Sequence, residues 1–363
     1  MKSSPARIVS VAVLSGALLL LWACYPAAEV SYSNPQDTVT RQWLIEYRPA
    51  ETKLQLSMNY RKAGENGGFN YHNSDFGVTL DQLVGLTREQ VMSSTGTNVN
   101  FQLKRDAGTF NFEGWFKDGN GSGHFIFAPN QAFANELARQ GFGRATDEEL
   151  LALAMTDTGL AFINELKAQD YDTTTVQQLV RMAQHGVRIE YLQGLKSLGY
   201  TVKSTDLVVR MKDHGVSLNF IKELAGLGYN NMSPEDLVRT RDHGVTAKFI
   251  NEFMAAGYER APLDQWVMLR DHGVTGEFVS ELKNLGYDRL PLEELRRMRD
   301  HGVTASFIKE IKDSGYSNTS VEQLVRLKDH GVSAAYIKRM KERGYADLTL
   351  DEYIRLRDRG EKE

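Results

Sequence analysis

The feature that most constrains this chain is an internal period of 29 residues in its C-terminal half. The unit from Tyr229 is YNNMSPEDLVRTRDHGVTAKFINEFMAAG, and the unit from Tyr316 is YSNTSVEQLVRLKDHGVSAAYIKRMKERG. Such strict self-similarity is typical of repeat architectures built from one supersecondary element per unit. Without any insertion between them, the units begin at Phe142, Tyr171, Tyr200, Tyr229, Tyr258, Tyr287, Tyr316 and Tyr345.

Each unit is predicted to form two short helices that both end at a glycine. The first helix begins at a serine, threonine or proline, residue types that suit an N-cap or a first turn. It ends at a His-Gly pair, where the glycine suits the left-handed position just after a helix and the next valine supplies an apolar contact. The second helix buries a stripe such as Phe249, Ile250 and Phe253. The glycines predicted to have this structural role are Gly186, Gly215, Gly244, Gly273, Gly302 and Gly331.

These units are predicted to stack side by side into an α-solenoid. Two helices of roughly ten residues with one apolar stripe each cannot enclose a core alone, so neighbouring units must bury each other's stripes. The ends of the array differ from its middle, as a solenoid requires. Arg339 and Arg343 make the last full unit more polar, and the unit from Phe142 has Thr156-Asp157 in place of the His-Gly pair.

A β-rich region precedes the repeats. Leu54, Leu56 and Met58 alternate with polar residues, which is typical of half-buried strands, and Asp118-Gly119-Asn120-Gly121 predicts a hairpin turn. Residues 79–92 are predicted to form a short helix with its flanking turns. The predicted fold is therefore α+β and multidomain, with a small antiparallel β domain before the solenoid. The predicted segments are a signal peptide or anchor at 1–24, a linker at 25–42, the β domain at 43–130, a helical adaptor at 131–170, repeats at 171–344 and a capping half-repeat at 345–363.

The N-terminus is predicted to export the chain. Lys2 and Arg7 precede an apolar run that is short for a membrane-spanning helix but suits the core of a signal peptide. Cys24, the only cysteine, closes this run as Leu-Trp-Ala-Cys, which resembles a bacterial lipobox and makes Cys24 a lipidation candidate. An uncleaved membrane anchor and cleavage near Ala28 are the alternatives. All three predict a location in the cell envelope, outside the cytoplasm.

Six histidines recur at the period of the repeat. A ladder that binds metal or relays protons is one hypothesis, but equivalent residues of stacked helices are about 10 Å apart, too far to share a zinc ion at about 2 Å from each nitrogen. A structural role at the helix end, by bonding to terminal carbonyls, is the favoured interpretation. His72 and His124 of the β region are interpreted as ordinary strand residues. The six are His185, His214, His243, His272, His301 and His330.

Charge and motifs exclude several functions. Arginines such as Arg239 and Arg326 form a basic ladder that could bind RNA, yet residues 171–344 hold 25 Lys and Arg against 23 Asp and Glu. Export also separates the chain from nucleic acid, so the basic ladder is interpreted as a solvated face with local ion pairs. None of the familiar protease, esterase or phosphate-binding motifs is present. The sequence therefore predicts no enzyme activity and no cofactor.

Two segments carry a resemblance to known proteins. DAGTFNFEGWFKDGNGSGHFIFAPN at 106–130 and LVRLKDHGV at 324–332 resemble segments of uncharacterised bacterial envelope proteins. They are also similar to extracytoplasmic tails of membrane metallopeptidases of the β-lactam-sensing antirepressor type. The zinc-binding motif and multiple spanning helices of those peptidases are absent here, so the resemblance implies only a sensing or binding tail.

The expected function is a non-catalytic scaffold or sensor of the bacterial cell envelope. It would bind an envelope protein or peptide along the repeats and contact the membrane through its N-terminal anchor or lipid. The alternatives are a hydrolase or lyase with its site in the β domain, and a metal-binding repeat protein.

Overall fold

The computed structural model describes residues 41–48, 52–63 and 69–361, and their fold is α+β, as predicted. The predicted targeting segment, Cys24 and nearly all of the predicted linker lie outside the described residues. Seven antiparallel strands come first along the chain and form one sheet. Their bounds are β1 Arg41–Glu46, β2 Leu54–Ala63, β3 Phe69–Val78, β4 Leu83–Val84, β5 Thr97–Arg105, β6 Gly108–Lys117 and β7 Asn120–Pro129.

The sheet consists of two meanders joined along one seam. The strand order is β3-β2-β1-β7-β6-β5-β4, so neighbouring strands follow each other in sequence except at the seam between β1 and β7, and the consecutive strands β3 and β4 lie at opposite edges. At this seam Leu44 of β1 lies opposite Ser122 of β7. The predicted hairpin joins β6 to β7, with Asp118 and Gly119 both at positive φ in the turn. The prediction of strands at Leu54–Met58 and around the hairpin is confirmed.

An aromatic cluster fills the inner face of the sheet. Trp43 is fully buried, and its ring centroid lies 5.2 Å from that of Phe101. The indole Nε1 of Trp43 donates to the backbone oxygen of Glu113 at 3.0 Å. Gly114 and Gly123, opposed on β6 and β7, leave room for this ring, because a Cβ on either would lie less than 3.0 Å from it. The glycines of this hairpin therefore make space for the core as well as forming a turn.

The prediction of a short helix with flanking turns over 79–92 is correct for the helix and wrong for the strand that precedes it. This segment begins with a 3₁₀ turn at Leu80–Gln82 and continues into the short strand β4. Only α1, at Arg88–Val91, is α-helical, with Thr87 as its N-cap. The apolar residues Leu83 and Val91 are both buried against the sheet. Their apolar character therefore reflects burial in the core of the sheet and not one face of a continuous helix.

The rest of the described chain is helical, and each of its helices has nine residues. The helices are α2 Gln131–Arg139, α3 Asp147–Met155, α4 Leu160–Ala168, α5 Val176–Gln184, α6 Ile189–Ser197, α7 Thr205–Asp213, α8 Leu218–Gly226, α9 Pro234–Asp242, α10 Ala247–Ala255, α11 Leu263–Asp271, α12 Gly276–Asn284, α13 Leu292–Asp300, α14 Ala305–Asp313, α15 Val321–Asp329, α16 Ala334–Glu342 and α17 Leu350–Asp358. They alternate between the first and second helix of a unit, from α3 onward.

The units stack in two layers, as a solenoid does. First helices pack on first helices, as α7 does on α9, and second helices on second helices, as α10 does on α12. Ile250 and Phe253 of α10 are fully buried, and the Phe253 ring lies 5.2 Å from that of Trp266 in the next unit. The core of each unit is thus completed by its neighbour, because neither nine-residue helix could bury its stripe alone.

The caps follow the sequence closely, with one difference. Ser and Thr caps accept a backbone hydrogen bond from the third helical residue, as Ser233 does from Asp236. Pro262 and Pro291 occupy the N-cap itself and not the first helical position. A proline at the N-cap offers no side-chain acceptor, so α11 and α13 begin without that bond.

The sheet and the array are joined by direct contacts. Asp106, after β5, accepts a hydrogen bond from the backbone nitrogen of Leu160, the first residue of α4, at 2.8 Å. Arg105 forms an ion pair with Asp157 of the turn between α3 and α4. Burial lowers the pKa of Arg105 to about 10. One hydrophobic core runs from the sheet through the repeats. Among the described residues, no helix combines the length and apolar character needed to cross a lipid bilayer.

Candidate binding surface of the repeat array

The six periodic histidines each bond to the next unit. Each is the C-cap of a first helix, and its Nδ1 lies 2.5–2.7 Å from the Oδ1 of an aspartate 28 residues later. We call this series the His–Asp ladder. Its pairs are His185–Asp213, His214–Asp242, His243–Asp271, His272–Asp300, His301–Asp329 and His330–Asp358.

The ends of the ladder account for two irregularities of the sequence. Gln184 replaces aspartate before the first histidine, where no histidine of an earlier unit needs an acceptor. Arg359 stands in place of histidine directly after Asp358, the acceptor for His330. The expectation that each histidine side chain bonds carbonyls of its own helix is incorrect, because its hydrogen-bond partner is an aspartate of the next unit. The positions of Gln184 and Arg359, at the two ends of the histidine series, were the sequence signal that could have identified the aspartates as the histidines' partners.

The ladder does not gather metal ligands. Each histidine bonds one carboxylate, and both partners of a pair are partly exposed, as His243 and Asp271 are at 38% and 44%. In the part of the chain that the structure describes, no group of three or more His, Cys, Asp or Glu side chains could hold a metal ion. His72 and His124 are likewise not brought together, since β2 and β1 separate their strands β3 and β7.

The six predicted glycines lie directly after the ladder histidines, at positive φ between 65° and 72°. Gly244, for example, donates its backbone N–H to the oxygen of Arg241, and Val245 donates to that of Thr240. This is the Schellman arrangement, in which the left-handed residue lets two otherwise unpaired helix carbonyls accept hydrogen bonds. It also turns the chain so that the preceding histidine faces the next unit.

The basic ladder also links units. Arginines of first helices pair with an acidic residue in the first turn of the next first helix, 25 residues later. Arg239 lies 2.7 Å from Asp264 and Arg326 lies 2.6 Å from Asp351, and Arg181–Asp206 and Arg297–Glu322 are equivalent pairs. The prediction of local ion pairs on a solvated face is confirmed, and the pairs are now placed between units.

A further series of cations covers aromatic rings across units. Each cation lies 4.5–5.4 Å from the ring centroid of the preceding unit's second helix, within the usual range for cation–π contact. The pairs are Lys212–Tyr191, Arg241–Phe220, Arg270–Phe249, Arg299–Phe278, Lys328–Phe307 and Arg357–Tyr336. These basic residues therefore contact the array itself.

The repeat tyrosines form a fourth series. The hydroxyl of Tyr258 donates to the backbone oxygen of Leu290, at 2.9 Å, and Tyr229, Tyr287 and Tyr316 make the equivalent bond. Burial, with a smaller contribution from Asp288, raises the pKa of Tyr258 to about 12. Each of these tyrosines is thus held protonated against the loop of the following unit.

One face of the array is free of these recurring contacts. It consists of the exposed positions of the second helices, which in α8 are Asn219, Lys222, Glu223 and Gly226. We call this the second-helix face. Its residues change from unit to unit: Asn219 is followed one period later by Lys248, and then by Glu277, Ser306 and Ala335. Only the position of Glu223 is nearly constant. The exposed residues of the second-helix face therefore vary between units, whereas the paired residues of the first helices recur.

Comparisons of this chain with protein-family models, curated proteins and solved structures gave no match. The resemblance to envelope proteins and metallopeptidase tails accordingly stays a prediction.

Proposed function

We propose that this protein is a non-catalytic scaffold or sensor of the bacterial cell envelope that binds a protein or peptide along the second-helix face. The observation that carries the proposal is the contrast between the two helix layers. The first helices carry the His–Asp pair in six successive units and the Arg–acid pair in four, whereas three of the four exposed positions of the second helices differ from unit to unit. Residues that hold units together must recur, and residues that recognise a partner need not.

The geometry of a solenoid supports binding over a long surface. Stacked units present a rigid, extended face, and a stable protein interface commonly needs about 800 Å² from each partner. Several neighbouring units together offer such an area, with alternating charges such as Lys248 and Glu277. The nearly balanced charge of the array gives no general attraction for phosphate backbones, which favours a protein or peptide over nucleic acid.

Photo-crosslinking in the native cell tests the binding face. A photoreactive residue is placed in the full chain at Asn219, Asn251 or Ser280, which are exposed in three successive units, and at Gln265 on a first helix as the matched control. We expect the same partner to crosslink from the three second-helix positions and not from position 265. A partner captured only from position 265, or none from any position, would contradict the proposal.

A second experiment tests the envelope location, which depends on residues 1–24. We expect the full chain to incorporate a labelled fatty acid and to lose the label in Cys24→Ala. An unlabelled chain that stays in the membrane fraction would instead support the uncleaved anchor. Recovery of the intact chain from the cytoplasm would contradict the proposed location under every route. A stoichiometric metal in the purified protein would favour the metal-binding alternative.

A further inference from the structure

The outer face of the β-sheet carries two rows of side chains that take part in none of the side-chain contacts described above. The register of the strands aligns one side chain from each of β2, β1, β7, β6 and β5 in both rows. The first row is Asn59, Gln42, His124, Glu113 and Asn100, and the second row is Ser57, Leu44, Ser122, Trp115 and Asn98. With strands about 4.8 Å apart, each row spans about 19 Å.

Three neighbouring hollows follow these rows. Their volumes are about 560, 360 and 380 Å³. Trp115 and Ser122 line both the first and the third, and Glu113 and His124 line both the first and the second. They form one continuous depression over the strands, which we call the outer-face groove. It is long enough to receive an extended ligand rather than a single small molecule.

The lining of the groove is almost without charge. None of its residues is Lys or Arg, although the chain has 43 of these. Glu46 and Glu113 are its only carboxylates. A phosphate, an acidic peptide or an anionic lipid would find no cation here, and a strongly basic ligand would find only two acidic partners. Charge complementarity therefore favours an uncharged ligand.

The groove combines free amides with exposed apolar side chains. Within the described part of the chain, the side chains of Gln42, Asn59, Asn98 and Asn100 make no hydrogen bond, whereas Gln102 bonds Asn111 at 2.7 Å. The exposed apolar side chains are unusually concentrated. Of the seven large exposed hydrophobic residues among those described, four lie on this face, namely Leu44, Val84, Trp115 and Ile126.

We propose that the outer-face groove binds an uncharged oligosaccharide. An indole exposed over 46% of its surface offers an apolar plane against which the C–H face of a sugar ring can stack. Each neighbouring amide has both donors and an acceptor, and so can bond two adjacent sugar hydroxyls. Protein interfaces are by contrast enriched in Arg, Met and several aromatic residues, and this groove has one exposed aromatic ring and no arginine.

The sheet holds Trp115 in a fixed place without depending on its side chain. On the same strand, the Phe116 side chain is buried on the inner face, and the Trp43 ring packs against Gly114 from that face. Substitutions of outward residues therefore leave the core intact, so that loss of binding can be separated from loss of folding. The proposal concerns a different part of the molecule from the second-helix face and does not depend on it.

Isothermal titration calorimetry of the full chain and its variants with tetrasaccharides tests the proposal, and tryptophan fluorescence of the unaltered chain locates the bound ligand. The probes are the β-1,4-linked tetramers of N-acetylglucosamine and of glucose. The chain has four tryptophans, of which Trp43 and Trp266 are fully buried, so a blue shift of the emission that persists in Trp22→Phe reports Trp115. We expect saturable binding of at least one tetramer, weakened tenfold or more by Trp115→Ala and severalfold by the pair Asn98→Ala and Asn100→Ala.

Met254→Ala, which removes an exposed apolar side chain from α10, is the matched control and should bind as the unaltered chain does. Binding of neither tetramer, or equal binding by Trp115→Ala, would overturn the proposal. If Trp115→Ala instead abolishes capture of a protein while no sugar binds, the groove is a protein surface and the proposal fails. The crosslinks from the second-helix face are unaffected by either outcome.

Discussion

The β-sheet and the repeat array reach a buried core by opposite routes. In the sheet, the central seam joins Ile45 to Gly121, so its core exists only when distant segments meet. In the array, the recurring contacts that link neighbouring units join residues 21 to 32 positions apart. The comparison teaches that stability of the sheet is concentrated in a few irreplaceable residues, whereas that of the array is distributed over many equivalent contacts.

The largest effect is expected at the centre of the sheet. Trp43→Ala removes a fully buried ring and its hydrogen bond to Glu113, which should lower the free energy of unfolding by about 3–5 kcal/mol. Chemical denaturation followed by near-ultraviolet circular dichroism measures it. Trp115→Ala is the control and should change the free energy of unfolding by less than about 0.5 kcal/mol. Equal effects would show that the sheet has no such central residue.

A comparable core residue of the array should act more locally. Phe253→Ala removes contacts to Trp266 and Tyr258 and should cost about 3 kcal/mol. Because units contact only their neighbours, we expect hydrogen exchange to accelerate in the flanking units and to remain unchanged in the sheet. Met254→Ala, the adjacent exposed position, should have little effect. Uniform acceleration across the whole chain would contradict the distributed account.

Substitution of a turn glycine should change the free energy of unfolding by a smaller amount, and a helical glycine provides a control with the opposite sign. Gly244→Ala places a side chain at φ +67° and about 3.3 Å from Arg270, which should cost about 1–2 kcal/mol. Gly226, the last residue of α8, has open space around it, so Gly226→Ala should stabilise the array by about 0.5–1 kcal/mol. Thermal unfolding of both variants measures the difference. The same sign for both would refute the assigned backbone roles.

The raised pKa of the repeat tyrosine Tyr258 predicts that the protein loses stability at alkaline pH. Because the pKa of Tyr258 is raised to about 12 from about 10 in an unfolded chain, its contribution is complete below pH 10 and is lost as the pH rises toward 12. Tyr258→Phe should cost about 1 kcal/mol at pH 8 through its hydrogen bond and should reduce the alkaline loss. Urea denaturation at pH 8 and pH 11 tests this. An unchanged pH dependence would count against it.

The smallest effect is expected for one pair of the His–Asp ladder. His243 and Asp271 are both partly exposed, so their coupling should be about 0.2–1 kcal/mol and weaker in salt. A double-mutant cycle of His243→Ala and Asp271→Ala measures it. A cycle of His243→Ala with Asp313→Ala, which pairs with Lys309 instead, should give no coupling. A coupling energy well above this range would contradict the expectation that partly exposed ion pairs contribute little to stability.

The sequence predicted much more of the array than of the sheet, for a physical reason. Caps, C′ glycines and apolar stripes are local signals, and the repeat presents each of them several times. The pairing of β1 with β7 and the split of residues 79–92 depend on contacts between distant segments, which a single sequence does not display. The aspartate partners of the histidines belong to the next unit, so the pattern within one unit does not indicate them, and the replacements at Gln184 and Arg359 are the sequence signal of the pairing.

The candidate surfaces were foreseen unequally. The variability of Asn219 and its equivalents is visible in the sequence, but their exposure is a property of the packed array. The rows across the sheet could not be predicted, because Asn59 and Asn100 become parts of one surface only through the register of five strands. Polar alternation predicted an outward face and gave no indication of which residues would be neighbours.

The most direct test of the whole account is the far-ultraviolet circular dichroism of a peptide that contains one unit, residues 229–257, compared with the full chain. If the hydrophobic interior forms only between units, the isolated peptide should show little helix and no cooperative thermal transition. A single unit that folds by itself into two helices, and unfolds cooperatively, would contradict the account.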